Sequence, residues 1–87
     1  MSVTVQLTYE MSKSLGTARL EIDEAGTVAD VIEAVRSRFG DAGDEFERLT
    51  RVTAVAVNGV LASYRRGVKT PLADGDTVAF VKAAAGG

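Results

Sequence analysis

The sequence predicts an α+β roll, in which one amphipathic helix covers one face of a mixed sheet of four to five strands. Three observations carry this expectation. Apolar and polar residues alternate at both ends of the chain, in Val3, Val5, Leu7 and Tyr9 and again in Val78 and Phe80. The one long apolar set at helical spacing lies between those ends, from Val28 to Phe39. The turn signals Asn58-Gly59 and Asp74-Gly75-Asp76 cut the second half into short strands.

Strand one is expected over Ser2–Tyr9, where Thr4, Gln6 and Thr8 fall on the face opposite the apolar residues. Met11 to Gly16 reads as a turn. Ala18, Leu20 and Ile22 then alternate with Arg19 and Glu21, which gives a second strand and a hairpin. Thr27 followed three residues later by Asp30 resembles a capping box, with Asp in place of the better Glu or Gln. Val28, Val31, Ile32, Val35 and Phe39 continue on one helical face, so a helix runs from Val28 to Phe39. Gly40 suits the left-handed position that stops it.

Asp41 to Leu49 is acidic, with Phe46 and Leu49 as anchors for a short helix or an ordered loop. Ala54 to Val57 reads as a strand, reversed at Asn58-Gly59 into Val60-Leu61, because Asn and Gly tolerate the positive φ of a tight hairpin. Ser63 to Thr70 is a polar loop, and Thr77 to Val81 is the last strand, with Val78 and Phe80 inward. The order is β-β-α-β-β-β. A helical connection after strand two permits the first and last strands to lie parallel at the sheet centre.

Eighty-seven residues make one domain with a single core, too small for an enclosed active-site cleft of the usual size. The domain is expected over residues 1–82, followed by a tail over 83–87. A net charge of −2 argues against a nucleic-acid partner, since phosphate binding needs a basic face. The chain has no Cys and no His, which removes disulfides, thiolate ligands, the cysteine nucleophile and the commonest general base. No apolar run approaches the ~20 residues of a membrane span, and the polar start is not a signal peptide, so a cytoplasmic location without membrane contact is the expectation. No metal site is expected.

The chain ends in Gly86-Gly87, directly behind Lys82-Ala83-Ala84-Ala85. Lacking Cβ atoms, the two glycines can lie extended in a channel too narrow for larger residues, which leaves the terminal carboxylate as the candidate reactive group. Frayed ends rich in small residues are common, and a terminal Gly-Gly arises by chance in roughly 0.5% of chains. Its weight therefore depends on what precedes it.

Val57-Asn58-Gly59, the stretch Pro71-Leu72-Ala73-Asp74-Gly75-Asp76-Thr77-Val78-Ala79-Phe80 and the final Gly86-Gly87 supply that context. Together they resemble the ubiquitin-like sulfur carriers of the MoaD/ThiS family, most closely the small subunits of molybdopterin synthase. The resemblance spans the chain in element order, with its specific motifs in the last third. It implies a β-grasp fold and a non-catalytic carrier subunit with no bound cofactor. Gly87 would be adenylated by an E1-like enzyme using ATP, and a sulfur donor enzyme would displace AMP to leave a thiocarboxylate. Gly86 and Ala85 would be recognised in the tail. The implied partners are the adenylating enzyme, the sulfur donor and the large catalytic subunit of molybdopterin synthase. Carriers for thiazole, cysteine or tRNA thiolation, and ubiquitin-like modifiers, use the same activated carboxylate. The sequence departs from similar proteins in carrying Lys82-Ala83 where prolines are frequent, and in a longer loop from Ser63 to Lys69.

Leu61 stands where the resembling subunits carry an apolar contact, and strand parity turns Val81 away from the helix-covered side, so these two are the expected docking residues. Single exposed apolar residues are also ordinary. Arg65, Arg66 and Lys69 beside Tyr64 form a basic cluster that either meets an acidic partner or is a solvated loop. Asp74 and Asp76 are read as turn formers, and Asp41, Asp44, Glu45 and Glu47 as a solvated acidic face.

Overall fold

The computed structural model describes residues 2–82. Five strands, β1 (Ser2–Gln6), β2 (Arg19–Asp23), β3 (Thr53–Val57), β4 (Val60–Leu61) and β5 (Thr77–Lys82), form one mixed sheet in the order β2-β1-β5-β3-β4. β1 and β5 are parallel neighbours at its centre, with Val5 opposite Val78, and all other pairs are antiparallel. Val3, Val5, Leu20, Ile22, Val57, Val78 and Phe80 face one side and form the core with the helices.

The sheet is covered by three α-helices, α1 (Tyr9–Leu15), α2 (Val28–Phe39) and α3 (Asp41–Thr50), where the sequence pattern predicts one main helix. α2 has its expected bounds and a complete capping box: the Thr27 hydroxyl accepts from the Asp30 amide, and the Asp30 carboxylate accepts from the Thr27 and Gly26 amides. Val28, Val31 and Val35 are fully buried on it, whereas Ile32 packs only at the core edge.

α1 replaces the turn expected from Met11 to Gly16, and it shortens strand one, which ends at Gln6 rather than Tyr9. The Thr8 hydroxyl caps the helix by accepting from the Met11 amide, and Gly16 closes it at φ 76°. Met11 and Leu15, four residues apart, bury one helical face in the core. The β1–β2 pairing survives because the helix returns the chain antiparallel. α3 contributes Phe46, fully buried, whose ring meets Phe80 edge-on at 5.4 Å between centroids.

Gly40 joins α2 to α3 with φ 58° and ψ −121°; its φ is positive as expected, but its ψ is not that of the left-handed cap. Asn58 and Gly59 both have positive φ, 50° and 85°, as a two-residue hairpin between β3 and β4 requires. The stretch expected as a polar loop holds two 3-10 turns, Ala62–Tyr64 and Gly67–Lys69. It is tied to the start of α2 by Val28 N–H to Thr70 C=O and Leu72 N–H to Gly26 C=O.

Candidate functional site

Residues 83–87 continue from the end of β5, a central strand held by β1 on one side and β3 on the other. The expected site residues Ala85, Gly86 and Gly87 lie outside the described residues. What the structure places is the surface around the point where β5 ends.

On β5 the buried residues Val78 and Phe80 alternate with Thr77, Ala79 and Val81, which face the helix-free side. Val81 is 41% exposed there. Cross-strand register extends that face: Val81 is opposite Ala54 on β3, Ala79 is opposite Ala56, and Ala56 is opposite Leu61 on β4. Leu61 and Val81 thus share one face, separated by β3. Leu61 is half-buried, so it is a less open contact than the sequence suggests.

The side chains between them are Ala54 and Ala79, half-buried, and Ala56, buried, and together the five make an apolar strip over the β5-β3-β4 half of the sheet. On the β1-β2 half the same face carries Thr4 and Gln6 opposite Glu21 and Arg19. The three alanines were not singled out as site residues from the sequence. Their signal is parity alone: each occupies the position of the strand pattern that the core leaves outward.

The motifs at Asn58 and Asp74 to Thr77 lie at the end of the sheet opposite to the last residue of β5, where β1 and β5 begin and β3 ends. The Asn58 side-chain amide donates to Asp76 at 2.9 Å, its carbonyl oxygen accepts from the Thr77 amide at 2.9 Å, and Asp76 also accepts from the Ala73 amide at 2.8 Å. Asp74 accepts from the Ser2 amide at 2.7 Å, and Gly75 N–H donates to Ser2 C=O. These donors, the Ala73 amide first and then the Asn58 amide, hold the Asp76 carboxyl below the usual carboxylate range, helped by the charge of Arg65. The residues that carry the family resemblance therefore lock strand ends together. Asp74 and Asp76 serve the turn, and among the described residues no group of three or more His, Cys, Asp or Glu side chains gathers as a metal site.

Arg65, Arg66 and Lys69 are exposed around the two 3-10 turns, with Tyr64 80% exposed beside them. The acidic residues of α3 are partly engaged: Glu45 pairs with Arg48, while Asp44 and Glu47 reach Arg36 of α2 at 3.8 and 3.6 Å. Among the described residues, no helix is long and apolar enough to cross a membrane.

The sequence matches the ThiS family model over residues 5–87. No curated protein matches it. Among solved structures, small archaeal modifier protein 1 from Methanosarcina acetivorans is similar with a TM-score of 0.82 at 18% identity, over 99% of this chain and 96% of that one. The Amycolatopsis orientalis BexX/CysO complex contains a chain similar at a TM-score of 0.77 and 28% identity, over 98% of this chain and 99% of that one. The complex of subunits 1 and 2 of the molybdopterin-converting factor from Helicobacter pylori contains another, at a TM-score of 0.66 and 22% identity, with 100% of each chain covered.

Proposed function

The chain belongs to the ThiS family and has the ubiquitin-like β-grasp fold, and from that premise we propose that it is a sulfur carrier for molybdopterin synthesis. Small carriers of this type are non-catalytic subunits. In this reading Gly87 supplies the reacting carboxylate. Its oxygen attacks the α-phosphorus of ATP on an E1-like enzyme, pyrophosphate leaves, and the acyl-adenylate turns a poor electrophile into a good one. Hydrosulfide supplied by the donor enzyme then attacks the acyl carbon, AMP leaves and the sulfur loses its proton, and the resulting thiocarboxylate gives up its sulfur to a precursor bound by the large subunit of molybdopterin synthase.

The observation that carries this reading is the position of β5. It ends in a strand flanked on both sides, with an outward apolar strip beside it, and the family match runs on through Gly87. A partner can grip the strip while residues 83–87 enter its active site. The likeness to a chain of the BexX/CysO complex, at 28% identity, favours a second pathway for the same chemistry.

Incubation with an adenylating enzyme, ATP and a sulfur donor is expected to raise the intact mass by the difference between sulfur and oxygen. Deleting Gly87, or adding one residue after it, should abolish the change while the domain stays folded. An extended variant that still gains the mass would sink the proposal. Transfer of that sulfur to the molybdopterin precursor in the presence of a large synthase subunit, against transfer to a cysteine precursor or appearance of a lysine conjugate, separates the readings.

A further inference from the structure

The two outer edges of the sheet are finished differently. On the β2 edge the Thr17 hydroxyl engages both backbone groups of Arg19, donating to its C=O at 2.9 Å and accepting from its N–H at 3.4 Å, and the Arg38 guanidinium donates to Glu21 C=O at 3.4 Å. Side chains thus occupy the groups with which a further strand would pair. The opposite edge is left open. β4 runs along β3 only at Ala56 and Val57, and beyond Leu61 the chain turns off into a 3-10 turn, so among the described residues Thr53–Val55 have no strand on that side.

A cleft of about 220 Å³ lies along this open edge, between the first residues of β3, Thr50 at the end of α3, Val28 at the start of α2 and the two 3-10 turns. Val28, Val55, Ala62 and Val68 give it an apolar lining, and Val68 is 51% exposed. Cations surround it. Arg51, Arg66 and Lys69 are exposed, make no salt bridge among the described residues, and each adjoins a lining residue in the chain: Thr50, Gly67 and Val68. The acids on the neighbouring helices are already engaged, Asp30 in the capping box of α2, Glu45 with Arg48 and Glu47 with Arg36. Arg65 differs from the other three cations, since its charge acts on Asp76.

We propose that the open edge of β3 binds an extended segment of a partner protein in which an apolar residue stands among acidic ones. Its backbone runs along Thr53–Val55, its apolar side chain fills the cleft, and its carboxylates meet Arg51, Arg66 and Lys69. The proposal goes beyond the carrier reading and does not depend on it, because no part of it uses Gly87. Three features select the occupant. An unpaired strand edge offers main-chain donors and acceptors to another extended backbone, while the pocket beside it reads a side chain. The cleft falls below the roughly 300–1,000 Å³ of small-molecule sites, so it suits a side chain or two rather than a cofactor. The third is charge. Three unengaged cations favour an acidic segment and reject a basic one. They also argue against a second copy of this chain, because a two-fold pairing of β3 edges would bring the same three cations of each copy together.

The test is amide NMR of the full-length chain titrated with two peptides that share a central Val-Ile-Val-Ile, flanked at each end by a pair of Glu residues in one and of Lys residues in the other. The acidic peptide is expected to shift the amides of Thr53–Val55, Ser63, Gly67 and Val68, and the basic peptide to leave them in place. Arg66→Glu should weaken the acidic peptide about fivefold or more, the effect of turning one attractive charge repulsive, while Arg19→Glu on the β2 edge should bind it as the parent does. Val68→Asp should weaken it as well, by setting a carboxylate in the cleft. The proposal is overturned if the acidic peptide leaves the β3 edge unmoved, if both peptides shift it equally, or if the shifts centre on β2 or on the strip from Leu61 to Val81. Shifts of Thr53–Val55 that grow with protein concentration in the absence of peptide would assign the edge to a second copy and overturn it too. None of these results bears on activation of Gly87, which the mass measurement decides separately.

Discussion

Gly43 of α3 sits directly against the backbone carbonyl of Arg36 in α2, so close that a Cβ on Gly43 would overlap the Arg36 carbonyl group and Cα. The same approach brings the Arg36 guanidinium near Asp44 and Glu47, linking the two helices. Gly43→Ala is expected to destabilise the domain, although alanine favours a helix by about 1 kcal/mol over glycine. The overlap is with backbone, which cannot swing aside, and overpacking of this kind costs of order 1–3 kcal/mol or more. Thermal unfolding is the measurement, with a midpoint several degrees below the parent expected at about 4–8 °C per kcal/mol in a domain of this size. A rise in midpoint would show that α3 can slide away from α2.

Met11→Ala should cost about 2–5 kcal/mol, because the side chain is fully buried and its loss leaves a cavity between α1 and the sheet. Ile32→Ala should fall at or below the bottom of that range, since Ile32 only edges the core. Urea unfolding of the two variants orders them. If Ile32→Ala proved the more damaging, the core would be centred on the other side of α2.

These two residues also mark what was legible in the sequence. Ile32 shares the helical face of Val31 and Val35, and periodicity alone cannot tell the middle of a buried stripe from its edge. Met11 was hidden because α1 is only seven residues long, too short for periodicity to separate from the alternation of β1 before it. Thr8, whose hydroxyl caps α1, also continues the apolar–polar alternation of β1, so the sequence pattern does not set it apart as a cap. α2, the hairpin at Asn58-Gly59 and the parallel pairing of β1 with β5 were legible, because each rests on a strong local cue or on a connection with few alternatives. For the site, parity predicted the outward face of Val81, but not the alanines that join it to Leu61. Small residues give no pattern of their own, and only the strand register shows them side by side.

Acid should weaken the end of the sheet that Asp76 holds. Its folded-state pKa lies below the ordinary value, chiefly because the Ala73 amide and then the Asn58 side chain donate to the ionised form. A depressed pKa means the unfolded chain binds the proton first, so this contribution is fully present above the unfolded value of about 4 and fades as pH falls through the folded one. Asp76→Ala is expected to lower the urea midpoint at pH 7 and to flatten its decline between about pH 5 and 2. An acid limb as steep in the variant as in the parent would remove Asp76 from the account.

Val81→Asp tests the helix-free strip as the surface that partners grip. Val81 is 41% exposed and points away from the core, so a carboxylate there stays hydrated in the free carrier and should leave its unfolding midpoint close to the parent's. In a complex the same carboxylate would be desolvated against apolar surface with no partner, a penalty that isolated residues at the rim of an interface do not incur. Binding to the adenylating enzyme or a large synthase subunit should therefore weaken about tenfold or more by titration calorimetry. Leu61→Asp, half-buried over β3, should lose affinity and some stability together, which makes Val81 the cleaner probe. Thr4→Asp, on the same face of the sheet but on its polar half, is the matched control and should bind as the parent does. Equal affinity for the parent and Val81→Asp would mean that partners hold the carrier elsewhere, and loss of affinity in Thr4→Asp as well would mean that the whole face, rather than the strip, is the contact.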